Sequence, residues 1–186
     1  RKKAIVTSLL TGIEHFMKKG KIDVYNGIGR ILGPSIFSPL SGTVSVEMND
    51  GSENELLLPK NVIIATGSRP RLIPGLEIDG ENILTSDEAL ELENLPKSLL
   101  IVGGGVIGIE WASMMSDFGV NVTVVEFAVT ILPTEDEEIA KEMQRLLKKK
   151  NVTVVTNAKL LPETLVKNGE QISINANIKK KKKTFS

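Results

Sequence analysis

The chain has 186 residues, 41% of them hydrophobic, and its 23 basic and 23 acidic side chains cancel, so no overall field favours nucleic acid or an anionic membrane as a partner. No apolar run approaches the ~18 residues of a membrane span, and we expect a cytoplasmic protein without membrane partners. The absence of cysteine excludes disulfides and thiolate chemistry within the chain, and a single histidine leaves little for a metal site, so no metal is predicted.

The first part of the chain combines a helix with short strands. Apolar residues recur at intervals of three and four over residues 4–18, which predicts a helix lying on a core, with His15 exposed. Short β-rich segments then alternate with turn residues, which predicts an antiparallel meander. These segments are residues 22–25, 29–32, 43–48 and 55–58. The apolar run 61–65, followed by Thr66-Gly67-Ser68, predicts a strand buried on both faces.

A turn-rich segment follows and marks a domain boundary. Residues 74–82 are rich in turn-forming residues, and a short capped helix is predicted to start at Ser86. We therefore place the first domain at residues 1–79 and the second at residues 80–177. Residues 178–186 contain five consecutive lysines and no apolar side, and we expect them to be disordered.

The second domain is predicted to hold a parallel sheet with helices between its strands. Three apolar runs predict these strands: residues 99–102, 122–125 and 152–155. The first connecting helix, ended by Gly119, would bury Ile107, Trp111, Met114, Met115 and Phe118. The second would be capped by Thr134, with Glu137 reaching back, and would bury Ile139, Met143, Leu146 and Leu147. Residues 161–166 and 171–175 predict a hairpin around Asn168-Gly169.

A glycine-rich turn lies between the first strand and the first helix of this domain. In such a place Gly103 would permit the tight turn, Gly105 would let a pyrophosphate approach the backbone, and Gly108 would let the helix pack against the strand. The pyrophosphate would then lie at the N-terminus of the helix, where N–H groups are free. Gly104, Val106 and Ile107 complete the turn. We predict a dinucleotide site of the Rossmann type.

Glu126 stands at the end of the second strand, 18 residues after Gly108. A carboxylate at this place accepts hydrogen bonds from the adenosine ribose and repels a 2′-phosphate. Residues 127–130 contain no Arg or Lys that would neutralise such a phosphate, so NAD is predicted rather than NADP. For Glu110, in the first turns of the helix, two interpretations stay open: charge complementation of the helix dipole, or a functional role.

Three strings resemble the flavin-dependent pyridine nucleotide-disulfide oxidoreductases, and within them the dihydrolipoyl dehydrogenases. They are residues 63–70 (IIATGSRP), 102–110 (VGGGVIGIE) and 131–136 (ILPTED). The resemblance runs over about residues 2–175 and implies that residues 1–79 are part of a discontinuous FAD-binding domain. It also implies oxidation of the dihydrolipoyl domain of a 2-oxo acid dehydrogenase complex by a homodimeric flavoprotein, which passes electrons through FAD to NAD.

The resemblance also implies roles for single residues. Residues 103–108, Glu110 and Glu126 would hold NAD, and the backbone near Leu160 would contact its adenine. Val106 would take the position of a gate residue over the flavin, and Glu110 would pair with a lysine near the flavin. The residues implied to lie against FAD are Gly27, Thr66, Gly67 and Ser68.

The chain departs from this family in what it lacks. An N-terminal FAD-binding glycine motif, the redox cysteines, a later flavin motif and an interface domain are absent, so the chain corresponds to an internal segment with no catalytic residue of its own. Two alternatives stay open. The chain could be a non-catalytic NAD-binding module, or part of another flavoenzyme of the disulfide-reductase family with a different substrate.

Overall fold

The computed structural model describes residues 2–33, 42–169, 171–178 and 181–186, and the chain divides into two units, Arg1–Gly67 and Ser68–Ser186. The first unit contains α1 (Lys2–Lys19), β1 (Gly27–Ile31), β2 (Val44–Met48) and β3 (Glu55–Leu57). The second contains α2 (Ser86–Ala89), β4 (Ser98–Val102), α3 (Val106–Asp117), β5 (Asn121–Val125), α4 (Glu137–Lys149), β6 (Thr153–Val155), β7 (Ala158–Asn168), β8 (Gln171–Ile178) and β9 (Lys181–Phe185). The predicted boundary between residues 79 and 80 precedes α2 and stays a prediction.

The first unit contains the predicted antiparallel meander. Strands β1, β2 and β3 pair in sequence order, with Gly27 opposite Met48 and Ile31 opposite Val44. The prediction of a strand over residues 22–25 is wrong. The partner strand β2 ends at Met48, so residues before Gly27 lie beyond its last ladder pair.

The helix predicted over residues 4–18 is confirmed as α1, but the prediction that it lies on a core is wrong. None of its residues is buried, and its apolar side chains Ile5, Leu9, Ile13 and Phe16 are each more than half exposed. His15 is exposed, as predicted. Apolar periodicity identifies one face of a helix, but it carries no information about what covers that face. No helix in the described part of the chain, α1 included, is apolar enough over sufficient length to cross a membrane.

The prediction of a doubly buried strand over residues 61–65 is also wrong. These residues are not in a strand, and Ile63 and Ile64 are 90% and 72% exposed. A strand buried on both faces needs a neighbour on each side for its backbone N–H and C=O groups. None of the described residues pairs with this segment.

The second unit is built on the predicted parallel sheet, with strand order β4-β5-β6. Alternate side chains of its strands point to opposite faces. On one face, Leu99, Val122 and Val124 pack with α3 and α4 around a core that includes Ala112, Ile131 and Leu147. On the other face, Leu100, Val125 and Val155 pack against residues from β7, β8 and β9. The unit therefore has a helix layer, a parallel sheet and an antiparallel sheet.

Helix α3 is present and ends at Asp117, and Gly119, which follows the C-cap Phe118, has a φ of +82°. The buried side of this helix was predicted incorrectly in part. The buried residues are Ile109, Ala112 and Met115, and Trp111 is partly buried. The predicted core residues Ile107, Met114 and Phe118 are exposed. This helix is apolar around most of its circumference, so its sequence period does not select one face.

The N-cap predicted for α4 was assigned to the wrong residue. The N-cap of α4 is Asp136, whose carboxylate accepts a hydrogen bond from Glu138 N at 2.8 Å, rather than Thr134. Helix α4 buries Ala140 and Leu147, while Ile139 and Leu146 are exposed. The short capped helix predicted to start at Ser86 is confirmed as α2, and its N-cap is Thr85, which exchanges hydrogen bonds with Glu88 in a capping box.

The end of the chain forms an antiparallel sheet. The predicted hairpin is confirmed, with Asn168 opposite Gln171 at its turn. The prediction that residues 178–186 are disordered is wrong where the structure describes them, because β9 pairs with β8 and Phe185 is buried. The lysines of β9 are exposed, which suits an edge strand, and residues 179 and 180 lie outside the described residues.

Candidate functional site

The glycine-rich turn connects β4 to α3 as predicted, and its first residue makes the sharp turn. Gly103 has a φ of +114°, a conformation that residues with a Cβ rarely adopt, and its N–H donates to Val125 O at 2.9 Å. This bond ties the end of β4 to the end of β5. The chain therefore leaves the sheet at the edge where both strands have their carboxyl ends.

The last glycine of the motif allows α3 to approach the turn. A Cβ on Gly108 would overlap the carbonyl oxygen of Gly103 and would lie 3.3 Å from Ile101 Cγ2. The close packing predicted for Gly108 is therefore confirmed. It brings the first turn of α3 directly onto the end of β4.

Gly105 is the N-cap of α3 and leaves the N-terminus of this helix open. It has extended backbone and no capping side chain, and a Cβ built on it would meet no atom within 4 Å. The first intrahelical bond at this end is Ile109 N to Gly105 O at 3.0 Å. The N–H groups of Val106, Ile107 and Gly108 thus have no partner inside the helix and point to where an anion can approach.

Glu126 follows β5 and is tied to the glycine turn. Its two carboxylate oxygens accept hydrogen bonds from Gly104 N and Ala128 N, each at 2.6 Å. We call this pair of bonds the carboxylate bridge. The Glu126 backbone is fixed as well, by Glu126 N to Val155 O at 2.8 Å and Ala158 N to Glu126 O at 2.9 Å. Each carboxylate oxygen keeps a lone pair for a further donor.

The segment after Glu126 contributes contacts that the sequence did not reveal. Leu132 N donates to Gly104 O at 2.8 Å, and Leu132 has a φ of +48°. Ile131 is fully buried beneath Gly104. The contributions of Ala128 and Leu132 come from backbone N–H groups, which leave no signature in the residue types. No pattern in the sequence could have identified them.

The remaining residues predicted for the nucleotide lie on α3 and β7. Val106 and Ile107 are 54% and 60% exposed on the first turn of α3, and Glu110 is exposed one turn later. Leu160 lies in β7 opposite Ala176 and packs partly buried against the second core cluster. The structure therefore brings residues 103–108 together with Glu126.

Of the residues predicted to lie against a flavin, three lie outside the helices and strands, and Gly27 lies in β1. Thr66, Gly67 and Ser68 are exposed, and Gly67 has a φ of +75° with no atom within 4 Å of a built Cβ. Gly27 has a different reason to be glycine, because a Cβ there would overlap Glu47 O in the neighbouring strand.

The geometry around the glycine turn fits a dinucleotide. A pyrophosphate can reach the open N-terminus of α3 at Gly105 without meeting a side chain. The Glu126 carboxylate lies beside the same turn and can accept hydrogen bonds from ribose hydroxyls. When bound, NAD supplies a nicotinamide ring that accepts a hydride.

Comparisons with known proteins agree on one family of oxidoreductases. The sequence profile of the pyridine nucleotide-disulphide oxidoreductases matches residues 4–185, which includes the lysine-rich strand β9. A dihydrolipoyl dehydrogenase from Bacillus subtilis (strain 168) is 66% identical over 176 residues, which make up 95% of this chain and 37% of that protein.

Solved structures support the same relationship. The crystal structure of LpdA from Mycobacterium tuberculosis matches with a TM-score of 0.81 and 26% identity. The HOCl-induced flavoprotein disulfide reductase RclA from Escherichia coli matches with a TM-score of 0.72 and 26% identity. Each match covers 98% of this chain and 39% of the other. The chain thus spans less than two fifths of the length of these relatives.

Proposed function

The chain belongs to the pyridine nucleotide-disulphide oxidoreductase family, and we propose that it supplies the NAD-binding site and part of the FAD site of a dihydrolipoyl dehydrogenase. One observation carries this proposal: the open N-terminus of α3 lies beside the Glu126 carboxylate, and both border the same glycine turn. An anion-binding helix end and a hydrogen-bond acceptor for ribose are the two groups that an adenosine diphosphate moiety requires.

The preference for NAD over NADP follows from charge. A 2′-phosphate would place a dianion next to the Glu126 carboxylate, and no Arg or Lys occurs in residues 127–130 to compensate. Because both carboxylate oxygens of Glu126 accept hydrogen bonds from backbone N–H groups, moving this side chain away from the phosphate would break those bonds. Like-charge contacts of this kind disfavour binding strongly in a partly buried site.

The reaction of the whole protein is part of the proposal. The dithiol of a dihydrolipoyl group is oxidised to a disulfide, and its two electrons pass through FAD to NAD, which yields NADH and a proton. This chain has no cysteine, so the thiols that exchange with the substrate belong to other parts of the protein. The role of this chain is to bind and orient the nucleotide.

Several residues have supporting roles in this proposal. Val106 and Glu110 lie on the first turns of α3, where Val106 would separate nicotinamide from flavin and Glu110 would pair with a lysine near the flavin. The backbone near Leu160 would contact the adenine. Thr66, Gly67 and Ser68 would lie against FAD, and Gly27 would approach it from β1.

The proposed partners are those of a dihydrolipoyl dehydrogenase. The whole protein would form a homodimer in the cytoplasm and would act on the dihydrolipoyl domain of a 2-oxo acid dehydrogenase complex. The 66% identity to a Bacillus subtilis dihydrolipoyl dehydrogenase supports this choice over a different disulfide-reducing flavoenzyme such as RclA, to which the identity is 26%. A non-catalytic NAD module is not favoured, because the named relatives are oxidoreductases.

Titration of the chain with NADH and with NADPH, followed by nucleotide fluorescence, tests the proposal. We expect NADH to bind at least about tenfold more tightly than NADPH, a difference that corresponds to ~1.4 kcal/mol. Gly105→Ala should weaken NADH binding without unfolding the chain, because its Cβ would point into open space where the pyrophosphate must approach. Tighter NADPH binding, or undiminished NADH binding by Gly105→Ala, would contradict the proposal.

A further inference from the structure

Gly104 differs from the other glycines of the turn in what surrounds it. It is buried, and a Cβ built on it would lie 2.8 Å from Ile131 Cγ2 and 3.2 Å from Glu126 Cβ. Its φ is not positive, so its backbone would accept alanine. The need for glycine at this position therefore arises from the side chains of Glu126 and Ile131.

The peptide groups of Gly104 hold the same neighbours. Gly104 N donates to Glu126 Oε2 at 2.6 Å, and Gly104 O accepts from Leu132 N at 2.8 Å. Glu126 Oε1 is occupied by Ala128 N at 2.6 Å. The carboxylate is thus fixed from two sides before any ligand is present, and the turn is fixed to the segment that contains Ile131.

From these contacts we infer that Gly104 is a positioning residue, which together with Ile131 and the Ala128 N–H sets the Glu126 carboxylate in the orientation that receives the ribose diol. This inference rests on the proposed function. It differs from the role predicted for Gly104 among the residues that hold NAD, because here Gly104 acts on selectivity through Glu126 and does not itself contact the nucleotide. It also explains why a second glycine occupies the variable position of the motif.

The substitution Gly104→Ala separates positioning from pyrophosphate binding. Ile131 is fully buried among core residues and has little room to move, so the partly exposed Glu126 side chain must give way to the new methyl group. The carboxylate would then lose its bond to residue 104. No group proposed to contact the pyrophosphate, at the N-terminus of α3, would be changed.

The experiment compares two ligands by calorimetry: NAD+, and an NAD+ analogue whose adenosine ribose carries hydrogen in place of both hydroxyls. In the unchanged chain we expect the analogue to bind about tenfold more weakly. In Gly104→Ala, the affinity for NAD+ should fall about tenfold, to that of the analogue. The affinity for the analogue itself should change less than about twofold. Gly105→Ala, the matched control, should weaken both ligands equally.

The outcomes distinguish this inference from the proposed function. If the unchanged chain binds neither ligand, the proposed function fails and the inference with it. If the unchanged chain binds NAD+ but Gly104→Ala keeps the tenfold difference between the ligands, only the inference is overturned.

If Gly104→Ala does not fold, a second measurement tests the inference. Amide exchange in the nucleotide-free chain should show Gly104 N–H and Ala128 N–H protected, and Glu126→Gln should lose that protection at one or both, because a carboxamide cannot accept at both ends. Unprotected amides in the unchanged chain, or unaltered protection in Glu126→Gln, would overturn the inference.

Discussion

At the scale of single residues, Asp79 shows how a carboxylate orders a loop. Its Oδ1 accepts hydrogen bonds from the N–H groups of Glu81, Asn82 and Ile83, and its Oδ2 accepts one from Lys167 Nζ at 2.7 Å. Burial alone would raise the pKa of Asp79, but these hydrogen bonds outweigh it and hold the pKa well below its usual value. The segment before α2 is thereby tied to the β7 strand.

This pKa predicts a defined dependence of stability on pH. A carboxyl group whose pKa is lowered by folding stabilises the protein above its unfolded pKa of about 3.9, and this contribution is lost as pH falls from there toward the folded pKa. Asp79→Asn should therefore lower the free energy of unfolding by about 1–2 kcal/mol at pH 7, a modest value because Lys167 is partly exposed. The difference from the unchanged chain should shrink below about pH 4.

Urea unfolding at pH 7 and pH 3 measures this difference. The exposed Asp23→Asn is a suitable control, since a substitution at such a position should change stability by less than about 0.5 kcal/mol. An equal loss of stability for Asp79→Asn at both pH values would show that its effect is not electrostatic.

Residue types in the glycine turn made much of the site predictable. The positive φ of Gly103 and the close approach at Gly108 are constraints that only a missing Cβ satisfies, and a missing Cβ is visible in the sequence. The hydrogen bonds from Ala128 N and Leu132 N were not predictable, because any residue except proline supplies such a donor. Contacts of these residues with a cofactor stay predictions.

At the scale of secondary structure elements, β9 shows the limit of compositional reasoning. Lysine-rich segments without a period are typical of disorder, yet this one pairs with β8 along its length. The deciding residue is Phe185, which is buried against Val125, Ala158 and Ala176, with Lys183 Nζ 5.2 Å from its ring centroid. Pairing with the edge of β8 and burial of Phe185 thus accompany the ordering of this segment.

Phe185→Ala tests this explanation. Removing the ring should lower the free energy of unfolding of the second unit by about 3 kcal/mol, because it leaves a cavity against the parallel sheet. Lys182→Ala, at an exposed position of the same strand, should change it by less than about 0.5 kcal/mol. Denaturant unfolding followed by Trp111 fluorescence measures both variants; equal effects would contradict an anchoring role for Phe185.

Apolar runs that have a pairing partner in the fold were predicted correctly as buried strands, whereas a run without such a partner was not. The three parallel strands are short apolar runs that require cover on both faces, and the second unit provides it. The run at residues 61–65 has the same composition but no pairing partner among the described residues. Sequence pattern therefore identified candidates for burial, and tertiary pairing decided which of them were buried.

At the scale of the whole molecule, the two units differ in how much they bury. In the first unit, Thr43 and Val46 are the buried residues among those that the structure describes, whereas the second unit contains both hydrophobic clusters. Residues 103–108 and Glu126, which we propose bind the nucleotide, all lie in the second unit. The proposed site therefore belongs to the better-packed part of the chain.

We propose that the glycine turn and Glu126 together bind NAD. Amide chemical shifts of the isotope-labelled chain, recorded during a titration with NAD+, test this claim directly. We predict the largest shifts at Gly105, Ile107, Gly108 and Ala128, with little change in the first unit. Shifts that are absent from residues 103–108 and 128 while NAD+ binds elsewhere, or no shifts at all, would contradict it.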